Sequence, residues 1–476
     1  MNTTDTLSKI PTRSERDLQV LQAAWKAWQS ASELRNRRTR SKRFAYGDQW
    51  FDMDDYDEGD YANPGEQKRM RMTNNLIRQL VKTVVGRFRS QRVDEIAQLS
   101  GAMARHYSAN QLEELDSRAL EEFLISGCCV QRIEPSVRGL VNRTVEVDNV
   151  NLNHFFINTM LDGRGRDTEL VGELHDLNVS DLIKRLSGGS RRKAAWLRAL
   201  YSAQSEERID ECRANLGADS QQGVGFWRSD NGKCRAIEVW TLESREVLVC
   251  HDVKRANLFT VPYSELSQVR HMPEMSYRWD IAEVWHCRWF TPMGDLLASY
   301  DSPYNHRRHP FAVKMYPLTD GEVHSLVEDV IGQQKYINHL LTLSNRILHS
   351  SAKGVLLYPV SALPEGFTWN DVRKVWSNCN GILPFDPRQG EQEPKQIMSS
   401  GHNAGTVEMA TLQMKIFDYV SGVSAVLQGR AEHSGNSASL HEQQVATADV
   451  ALTDIYRTFR LFLDYRDQMM LTGELK

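Results

Sequence analysis

The sequence lacks the features that mark membrane, secreted or strongly basic proteins. It contains no apolar run of 18 residues that would cross a bilayer, and no signal peptide is apparent. Its seven cysteines are odd in number and irregularly spaced, a pattern that indicates free thiols in a reducing cytoplasm. The net charge of −4 is mild, which excludes a chain built mainly to neutralise nucleic acid.

Motifs for phosphate binding, metal binding and catalysis are also missing. The segment SGGSRRKAAW, residues 187–196, lacks the Gly-x4-Gly-Lys-Ser/Thr spacing of a phosphate-binding loop. The dipeptides Cys250-His251 and His286-Cys287 place neighbouring side chains on opposite faces of a strand, so neither offers two ligands to one zinc ion. We therefore predict no catalytic residue, no metal site and no cofactor, and we do not expect an enzyme.

The sequence does contain clear changes of periodicity along its 476 residues, a length that predicts more than one structural region. Residues 15–34 and 103–126 have helical spacing of apolar side chains, whereas CCVQRIEPSV and RTVEVDNVNL alternate and predict a β-hairpin. Residues 226–318 form a tryptophan-containing segment that is rich in strand patterns. Helical spacing returns after this segment.

A helix with few charged residues is predicted over residues 323–352. Its apolar stripe consists of Leu326, Val330, Ile337, Leu341 and Leu348. The remaining positions are mostly uncharged polar residues such as Gln334 and Asn338. Because a helix exposed to water on one side normally carries more charge there, we predict that both sides are packed, with neighbouring subunits as the second partner.

The stretch RFAYGDQW, residues 43–50, lies between runs of opposite charge. Six cations occur within residues 35–43, and seven acidic residues occur within residues 48–60. One interpretation pairs the two runs between neighbouring subunits, with Gly47 permitting a turn and Trp50 acting as a packing anchor. The alternative interpretation is that both runs are solvated surface.

Four segments, in this order, carry a resemblance to a known family. They are RFAYGDQW together with RMTNNLIRQLV (residues 71–81), residues 155–186, residues 302–338 and residues 420–444. The third contains SPYNHRRHPF followed by GEVHSLVEDVIGQQKYIN, and the fourth begins VSGVSAVLQG. In order and spacing these segments are similar to the portal proteins, or head-to-tail connectors, of tailed bacteriophages.

The resemblance implies an α+β ring subunit with an α/β wing, a helical stem, a β-rich clip and a short helical crown. Mapped onto this chain, the expected regions are the N-terminal helix and wing at 1–175, a first stem-side helical segment at 176–225, the clip at 226–322, the stem helix at 323–352, a wing return with a tunnel loop (385–404) at 353–430, and short crown helices at 431–476.

The resemblance also implies a function. Portal proteins form a ring, commonly of twelve copies, at one vertex of the virion capsid, and they are the channel for DNA packaging and ejection. The implied partners are other copies of the chain, double-stranded DNA, the terminase large subunit, the major capsid protein, the head-to-tail adaptor and scaffolding protein, with no membrane. The implied locations are the virion and, during assembly, the host cytoplasm.

The resemblance also implies roles for individual residues, according to their positions in the matching segments. The candidates for contact with DNA in the channel are Arg388, Lys395, Lys335, Arg346 and Lys353. The candidates for packing between subunits are the five apolar residues of the predicted stem helix and Trp50. Two other functions stay open from the sequence: a nucleic-acid-processing phage enzyme without a recognisable motif, and a monomeric binding adaptor.

Overall fold

The computed structural model describes residues 7–52, 71–135, 145–217, 224–229, 232–252, 257–270, 275–351, 355–377, 384–386, 393–397, 404–423 and 438–472. The chain divides into two compact units. The first unit comprises residues 1–46, 77–329 and 422–476, and the second unit comprises residues 47–76 and 330–421.

Helices occur in three groups along the chain. The first group is α1 (Glu15–Ser30), α2 (Ser32–Ala45), α3 (Leu76–Ala97), α4 (Gly101–Asn110) and α5 (Leu112–Ser126). The second group is α6 (Val179–Leu186), α7 (Arg191–Ser202), α8 (Glu206–Asn215), α9 (Val224–Trp227) and α10 (Leu266–Arg270). The third group is α11 (Leu326–Ser351), α12 (Trp369–Ser377), α13 (Ala404–Ser421) and α14 (Ala438–Thr472). None of the described helices is long and apolar enough to cross a membrane.

The strands form antiparallel sheets in both units. The strands are β1 (Cys128–Pro135), β2 (Val145–Asn149), β3 (Phe155–Ile157), β4 (Leu170–Leu177), β5 (Cys234–Asp252), β6 (Asn257–Pro262), β7 (Met275–Phe290), β8 (Leu296–Asp301), β9 (Phe311–Met315), β10 (Leu318–Thr319), β11 (Glu322–Val323), β12 (Val355–Leu357) and β13 (Lys395–Ile397). The first unit contains a sheet of order β3-β4-β5-β7-β8, with β6 beside β5, and a second sheet of order β2-β1-β9. In the second unit β12 pairs with β13.

These elements confirm the predicted α+β class and several local predictions. The hairpin of β1 and β2 pairs Gln131 with Asn149, as the alternating pattern indicates. The predicted helix over 323–352 is present as α11, whose 26 residues reach about 39 Å at the usual rise.

Aromatic side chains fill the core of the first unit on both faces of the larger sheet. Helix α1 begins with a capping box, in which the Ser14 hydroxyl accepts from the Asp17 backbone N–H and the Asp17 carboxylate accepts from Ser14. The same helix buries Trp25, whose ring centroid lies 5.8 Å from that of Trp227. On the other side, Trp240 and Trp289 belong to a separate buried cluster.

The hairpin of β5 and β7 is longer than the body of the sheet. The two strands pair from Ile237 opposite Phe290 to Asp252 opposite Met275. The C-terminal half of β7 is buried and its N-terminal half is mostly exposed, so the distal half of the hairpin forms a ribbon with its own small apolar cluster of Leu248, Cys250 and Val269. We call residues 244–283 the distal ribbon.

The predicted clip boundaries of 226 and 322 do not coincide with the boundaries of a sheet. Strands β3 and β4 precede residue 226 but belong to the same sheet as β5. Strand β9 lies before residue 322 but pairs with β1, with Val313 opposite Val130. Strand pairing joins segments that are distant in the sequence, which a scan of local periodicity does not detect.

The C-terminal region is one helix of 35 residues where the sequence predicts several short ones. Helix α14 packs within the first unit: the Tyr456 hydroxyl donates to the Val84 carbonyl oxygen at 3.0 Å, and the Phe459 ring lies 5.3 Å from that of Phe88. Arg466 is fully buried and donates to Asp116 at 2.7 Å. These contacts explain a continuous helix, because a packed face stabilises a helix more than its intrinsic propensity does.

Candidate functional site: the amide ladder and the surfaces around it

Four amide side chains of the second unit form a connected set that we call the amide ladder: Gln49, Asn75, Gln334 and Asn338. The Asn338 Nδ2 donates to Gln49 Oε1 at 2.6 Å, and Gln49 Nε2 donates to Asn75 Oδ1 at 3.1 Å. The Gln334 Nε2 donates to Asn338 Oδ1 at 3.0 Å. Gln49, Gln334 and Asn338 have no exposed surface, so their polar atoms depend on one another rather than on water.

The amide ladder also satisfies backbone groups at the start of α3. The Asn74 N–H donates to Asn338 Oδ1 at 3.1 Å, and the Leu76 N–H donates to Gln334 Oε1 at 3.0 Å. In return Gln334 Nε2 donates to the Asn74 carbonyl oxygen at 2.6 Å. Since the first N–H groups of a helix have no partner within it, Gln334 caps α3 from a position 258 residues away in the chain.

This arrangement corrects the explanation of the uncharged positions of α11. The sequence predicts that both sides of the helix are packed and that neighbouring subunits cover the uncharged polar side. Instead Gln334 and Asn338 face residues 49 and 74–76 of their own chain. Amides are used at these positions because each carries both a donor and an acceptor, and so can bind an irregular backbone segment that lacks its own hydrogen-bond partners.

Trp50 and Lys335 are both engaged within the second unit. The Trp50 Nε1 donates to Thr73 Oγ1 at 2.9 Å, and the Arg71 guanidinium carbon lies 5.5 Å from the Trp50 ring centroid. The Lys335 ammonium lies 2.7 Å from Asp52 Oδ2 and donates to the Asp52 carbonyl oxygen. Lys335 is therefore a partner of Asp52 in this chain, and its contact with DNA stays a prediction.

The apolar stripe of α11 divides into buried and exposed positions. Val330 and Ile337 are 0% exposed, so they pack inside their own chain and have no surface left for a neighbouring subunit. Leu326 and Leu341 are half-buried. Leu348, near the C-terminal end of the helix, is 58% exposed, which leaves it as the stripe position with the most surface for a partner.

Part of the basic run pairs within its own chain. Arg38 is buried and binds the Glu122 carboxylate with two nitrogens. Arg35 stacks 3.7 Å from the Trp28 ring centroid, and burial lowers the pKa of its guanidinium to about 10. Arg37 donates to Glu33 at 2.8 Å. These three arginines therefore do not form a free face for a neighbour, as one interpretation of the sequence requires, while the acidic residues 53–60 lie outside the described residues.

The stretch RFAYGDQW between the charged runs turns at Gly47, as predicted. Gly47 has a φ of +96°, a left-handed conformation that glycine adopts without strain. Just before it, the Tyr46 hydroxyl donates to Glu121 Oε1 at 2.9 Å, and the Arg78 guanidinium lies 4.7 Å above the Tyr46 ring. Gly47 therefore lies where the chain passes from Tyr46, the last residue of this segment of the first unit, into the second unit.

Of the other residues predicted to contact DNA, Lys395 is the one whose side chain the structure describes. Lys395 is exposed at the start of β13, where it pairs with Leu357. Arg388 and Lys353 lie outside the described residues, and the Arg346 side chain is not among the described side chains. Of the predicted tunnel loop 385–404, the described parts are limited to short pieces that include β13.

Exposed apolar side chains concentrate in two regions. In the second unit they are Met72, Tyr336, Leu348, Leu357, Val360, Trp369, Ile397, Val407, Met409, Leu412, Tyr419 and Val420. On the distal ribbon they are Leu258, Phe259, Tyr263, Tyr277, Trp279 and Ile281. Clusters of exposed large apolar residues mark surfaces that bind a partner.

A buried cluster of charges in the first unit surrounds Arg132 of β1. Its Nη1 lies 2.9 Å from Glu173 Oε2, 2.5 Å from Glu238 Oε2 and 3.5 Å from His175 Nε2. Among the described residues, Glu173, His175 and Glu238 are the one set close enough together to hold a metal ion. Arg132 supplies the positive charge at that position, so the carboxylates are compensated without a metal.

The dipeptides Cys250-His251 and His286-Cys287 lie on β5 and β7. Cys250 and Cys287 are buried free thiols, and burial raises the pKa of both. The His286 ring lies 2.6 Å from Asp301 Oδ1 and 2.8 Å from Ser299 Oγ. Cys250 and Cys287 are thus buried in the sheet, whereas His286 is half-buried and bound by its neighbours on β8.

Sequence reasoning missed the amide ladder, although the signal for it was present. Gln334 and Asn338 are four residues apart on one face of α11, and Asn74-Asn75 directly precedes α3. Amides at a predicted buried face require partners, and a pair of asparagines before a helix is a source of such partners.

Comparison with known proteins supplies the family. A model of the phage P22-like portal protein family matches residues 191–471, a region that includes the distal ribbon, α11, α13 and most of α14. A search of curated proteins gives no match. Because the matched region covers more than half of the chain, this protein belongs to the family of P22-like phage portal proteins.

Proposed function

We propose that the chain assembles into a closed ring of identical subunits at the portal vertex of the capsid, and that the ring is the channel for DNA packaging and ejection. The family match over residues 191–471 carries this proposal. Family membership makes the chain a structural component of a phage capsid. The ring commonly has twelve subunits in portal proteins, and we propose the same number here.

The exposed apolar side chains of the second unit support assembly. A ring interface is heterologous, so each subunit presents two different surfaces that complement each other. Exposed apolar residues occur both on β12 and β13 (Leu357 and Ile397) and on α13 (Leu412 and Tyr419). We propose that α11, as the stem helix, and α13 contribute to these two surfaces, with Leu348 in contact with the neighbour.

The distal ribbon is the proposed clip, which docks the terminase large subunit during packaging and the head-to-tail adaptor afterwards. Its exposed Trp279 and Phe259 are the kind of aromatic side chains that anchor protein interfaces. We assign the wing, the proposed contact with major capsid and scaffolding proteins, to the helices and strands before residue 176. Residues 353–430 would form the wing return, and 431–476 the crown, with α14 as its helix.

A direct experiment on the assembly is sedimentation of the purified full chain together with negative-stain imaging. A ring of twelve copies of a 54.5 kDa chain sediments as a particle of several hundred kilodaltons with a central hole. A stable monomer or dimer under assembly conditions would exclude the portal ring as the functional state.

Leu348→Asp tests whether the end of α11 lies at the subunit interface. Because Leu348 is exposed in the single chain, the folded monomer is expected to keep its melting temperature, whereas burial of a carboxylate at each interface costs several kcal/mol. We expect the yield of rings to fall by at least about tenfold. Val93→Asp, at a similarly exposed position on α3 (Val93 56%, Leu348 58%), is the control, and equal ring yields in both variants would remove Leu348 from the interface.

Lys395→Glu tests the proposed channel surface at β13. The side chain is exposed, so we expect normal folding and normal rings, with packaged DNA per capsid reduced by about threefold through lost phosphate attraction and added repulsion. Lys26→Glu, an equal change of charge at an exposed position on α1, is the control. Normal packaging by the Lys395 variant would place this residue outside the DNA path.

A further inference from the structure

The first unit contains an open cavity of about 630 Å³ whose lining is strongly cationic. It lies between the loop at residues 160–168, the turn at residues 302–310, strand β9 and helix α14. We call it the basic pocket, and its cations are Arg164, Arg166, Arg307, Arg308 and Lys314. The lining includes one carboxylate, Glu283. This concentration of positive charge contrasts with the net charge of −4 for the whole chain.

Two of the five cations make no direct contact with a carboxylate, although the charge of Arg166 acts on nearby Asp162. Among the described residues, the side chains of Arg166 and Arg307 make no hydrogen bond and no ion pair, and both are exposed. Arg307 has a φ of +58°, so the turn holds a non-glycine residue in the left-handed region. Because like charges held close together repel, a compact group of cations with unpaired members is a feature that a bound anion would stabilise.

The other three cations are held in place by short-range contacts. Arg164 donates to Asp162 Oδ1 at 3.0 Å, Arg308 donates to the Tyr465 hydroxyl at 3.3 Å, and Lys314 donates to the Gly163 carbonyl oxygen at 2.8 Å. Burial lowers the pKa of Lys314. The direct partners of Arg308 and Lys314 are neutral, and Asp162 acts on Lys314 only through its charge. These contacts hold the three side chains in place before any ligand arrives.

The wall beside the cations is aromatic and apolar. Trp285 is buried, and the centroid of its ring lies 4.6 Å from the centroid of the His309 ring. Phe462 of α14 also lines the cavity. Burial and the charge of Arg308 lower the pKa of His309 to about 3 and that of His306 to about 4. Both imidazoles are therefore neutral near pH 7, and the buried His306 Nε2 has no hydrogen-bond partner among the described residues.

We propose that the basic pocket binds a phosphate-bearing ligand of nucleotide size, either a free nucleotide or one nucleotide of a nucleic acid strand. Four of the five cations are arginines, whose planar forks match phosphate oxygens. The volume lies within the range of small-ligand sites, and the aromatic wall suits a base or sugar. An acidic protein surface fits less well, because it would bind a broad face rather than a pocket. The proposal goes beyond the role as a channel and does not depend on it.

Binding measurements on the purified full chain test the proposal. Inorganic pyrophosphate, a deoxynucleoside triphosphate and a fluorescent single-stranded oligodeoxynucleotide are titrated into the wild type and into the double variant Arg166→Glu and Arg307→Glu. Since both side chains are exposed and make no hydrogen bond or ion pair among the described residues, we expect unchanged folding and an affinity reduced by at least about tenfold. The matched control is Arg191→Glu with Arg192→Glu, which makes the same change of charge at exposed positions on α7 and is expected to leave affinity within about threefold.

Each outcome decides the proposal. Binding of the triphosphate that the pocket variant loses supports a free nucleotide, and binding of the oligonucleotide alone with the same loss supports a nucleic acid strand. Equal losses in the pocket and control variants would show nonspecific attraction and overturn the proposal. Binding of none of the three probes, or of a polyglutamate peptide alone, would also overturn it. Sedimentation of the same variants records ring assembly separately, so failure of the ring and failure of the pocket are distinguishable.

Discussion

Arg132→Met is expected to destabilise the first unit by about 3–5 kcal/mol, because it leaves buried carboxylates without their positive partner. Glu238 is fully buried and loses two hydrogen bonds from the Arg132 guanidinium. Glu173 and Glu134 lose contacts of 2.9 and 3.0 Å. The measurement is the free energy of unfolding in urea for the soluble, unassembled chain at neutral pH.

The dependence of this loss on pH identifies its electrostatic origin. Burial by itself would raise the pKa of Glu238, but the charge of Arg132 and the hydrogen bond from His175 outweigh it and hold that pKa below the ordinary value of 4.5. In the wild type this contribution to stability is present above about pH 4.5 and is lost as the pH falls further. Without Arg132, burial dominates and the pKa of the Glu238 carboxyl rises. As the pH falls, Glu238 therefore becomes protonated at a higher pH in the variant than in the wild type, and its buried negative charge is removed. The deficit should shrink between neutral pH and about pH 5.

Arg198→Met is the matched control for Arg132→Met. Arg198 is exposed on α7 and makes no side-chain hydrogen bond or ion pair among the described residues, so its replacement is expected to change stability by less than about 0.5 kcal/mol. A small effect of Arg132→Met, or a deficit that does not change with pH, would contradict the compensating role of Arg132.

Asn338→Leu is expected to destabilise the second unit by about 3 kcal/mol, since it removes three hydrogen bonds from a buried position. The Asn74 N–H and the buried Gln49 side chain lose partners, and Gln334 loses one acceptor. Leucine has a similar volume, so the loss arises from unsatisfied polar groups rather than from a cavity. Two measurements are made: the thermal unfolding of the second unit, and the rate of hydrogen exchange at the backbone amides of residues 71–76.

Gln333→Leu provides the comparison on the same helix. Gln333 neighbours the ladder in sequence but is half-buried and is not part of its hydrogen bonds, so the same change in side-chain chemistry is expected to cost less than about 1 kcal/mol. If Asn338→Leu and Gln333→Leu have equal effects, the amide ladder does not hold the segment before α3.

Much of the local structure and the family could be predicted from the sequence. The apolar spacing in residues 323–352 predicted a helix that the structure places at Leu326–Ser351. The alternation after Cys128 predicted the β1–β2 hairpin. The motifs in residues 302–338 and 420–444 pointed to the portal family, which the match over residues 191–471 confirms.

What the sequence did not reveal has a common physical cause, which is that the partner of a side chain is not encoded near it. The uncharged face of α11 predicted a neighbouring subunit, but its partners are Gln49 and residues 74–76 of the same chain. Lys335 was predicted to contact DNA, and within the chain it pairs with Asp52; its contact with DNA stays a prediction. In both cases the residue type indicates that a partner is required, and the partner within the chain is distant in sequence.

The sequence by itself determined the elements of this protein, because helix and strand periodicities, caps and turns depend on residues a few positions apart. Tertiary structure alone decided which surfaces remain for other molecules. Hydrogen bonds between residues more than 250 positions apart, such as that from Leu76 to Gln334, occupy polar groups that the sequence alone would leave open for binding other molecules. Folding also brings Arg166 and Arg307 to one cavity, and no local pattern connects two cations that lie 141 positions apart.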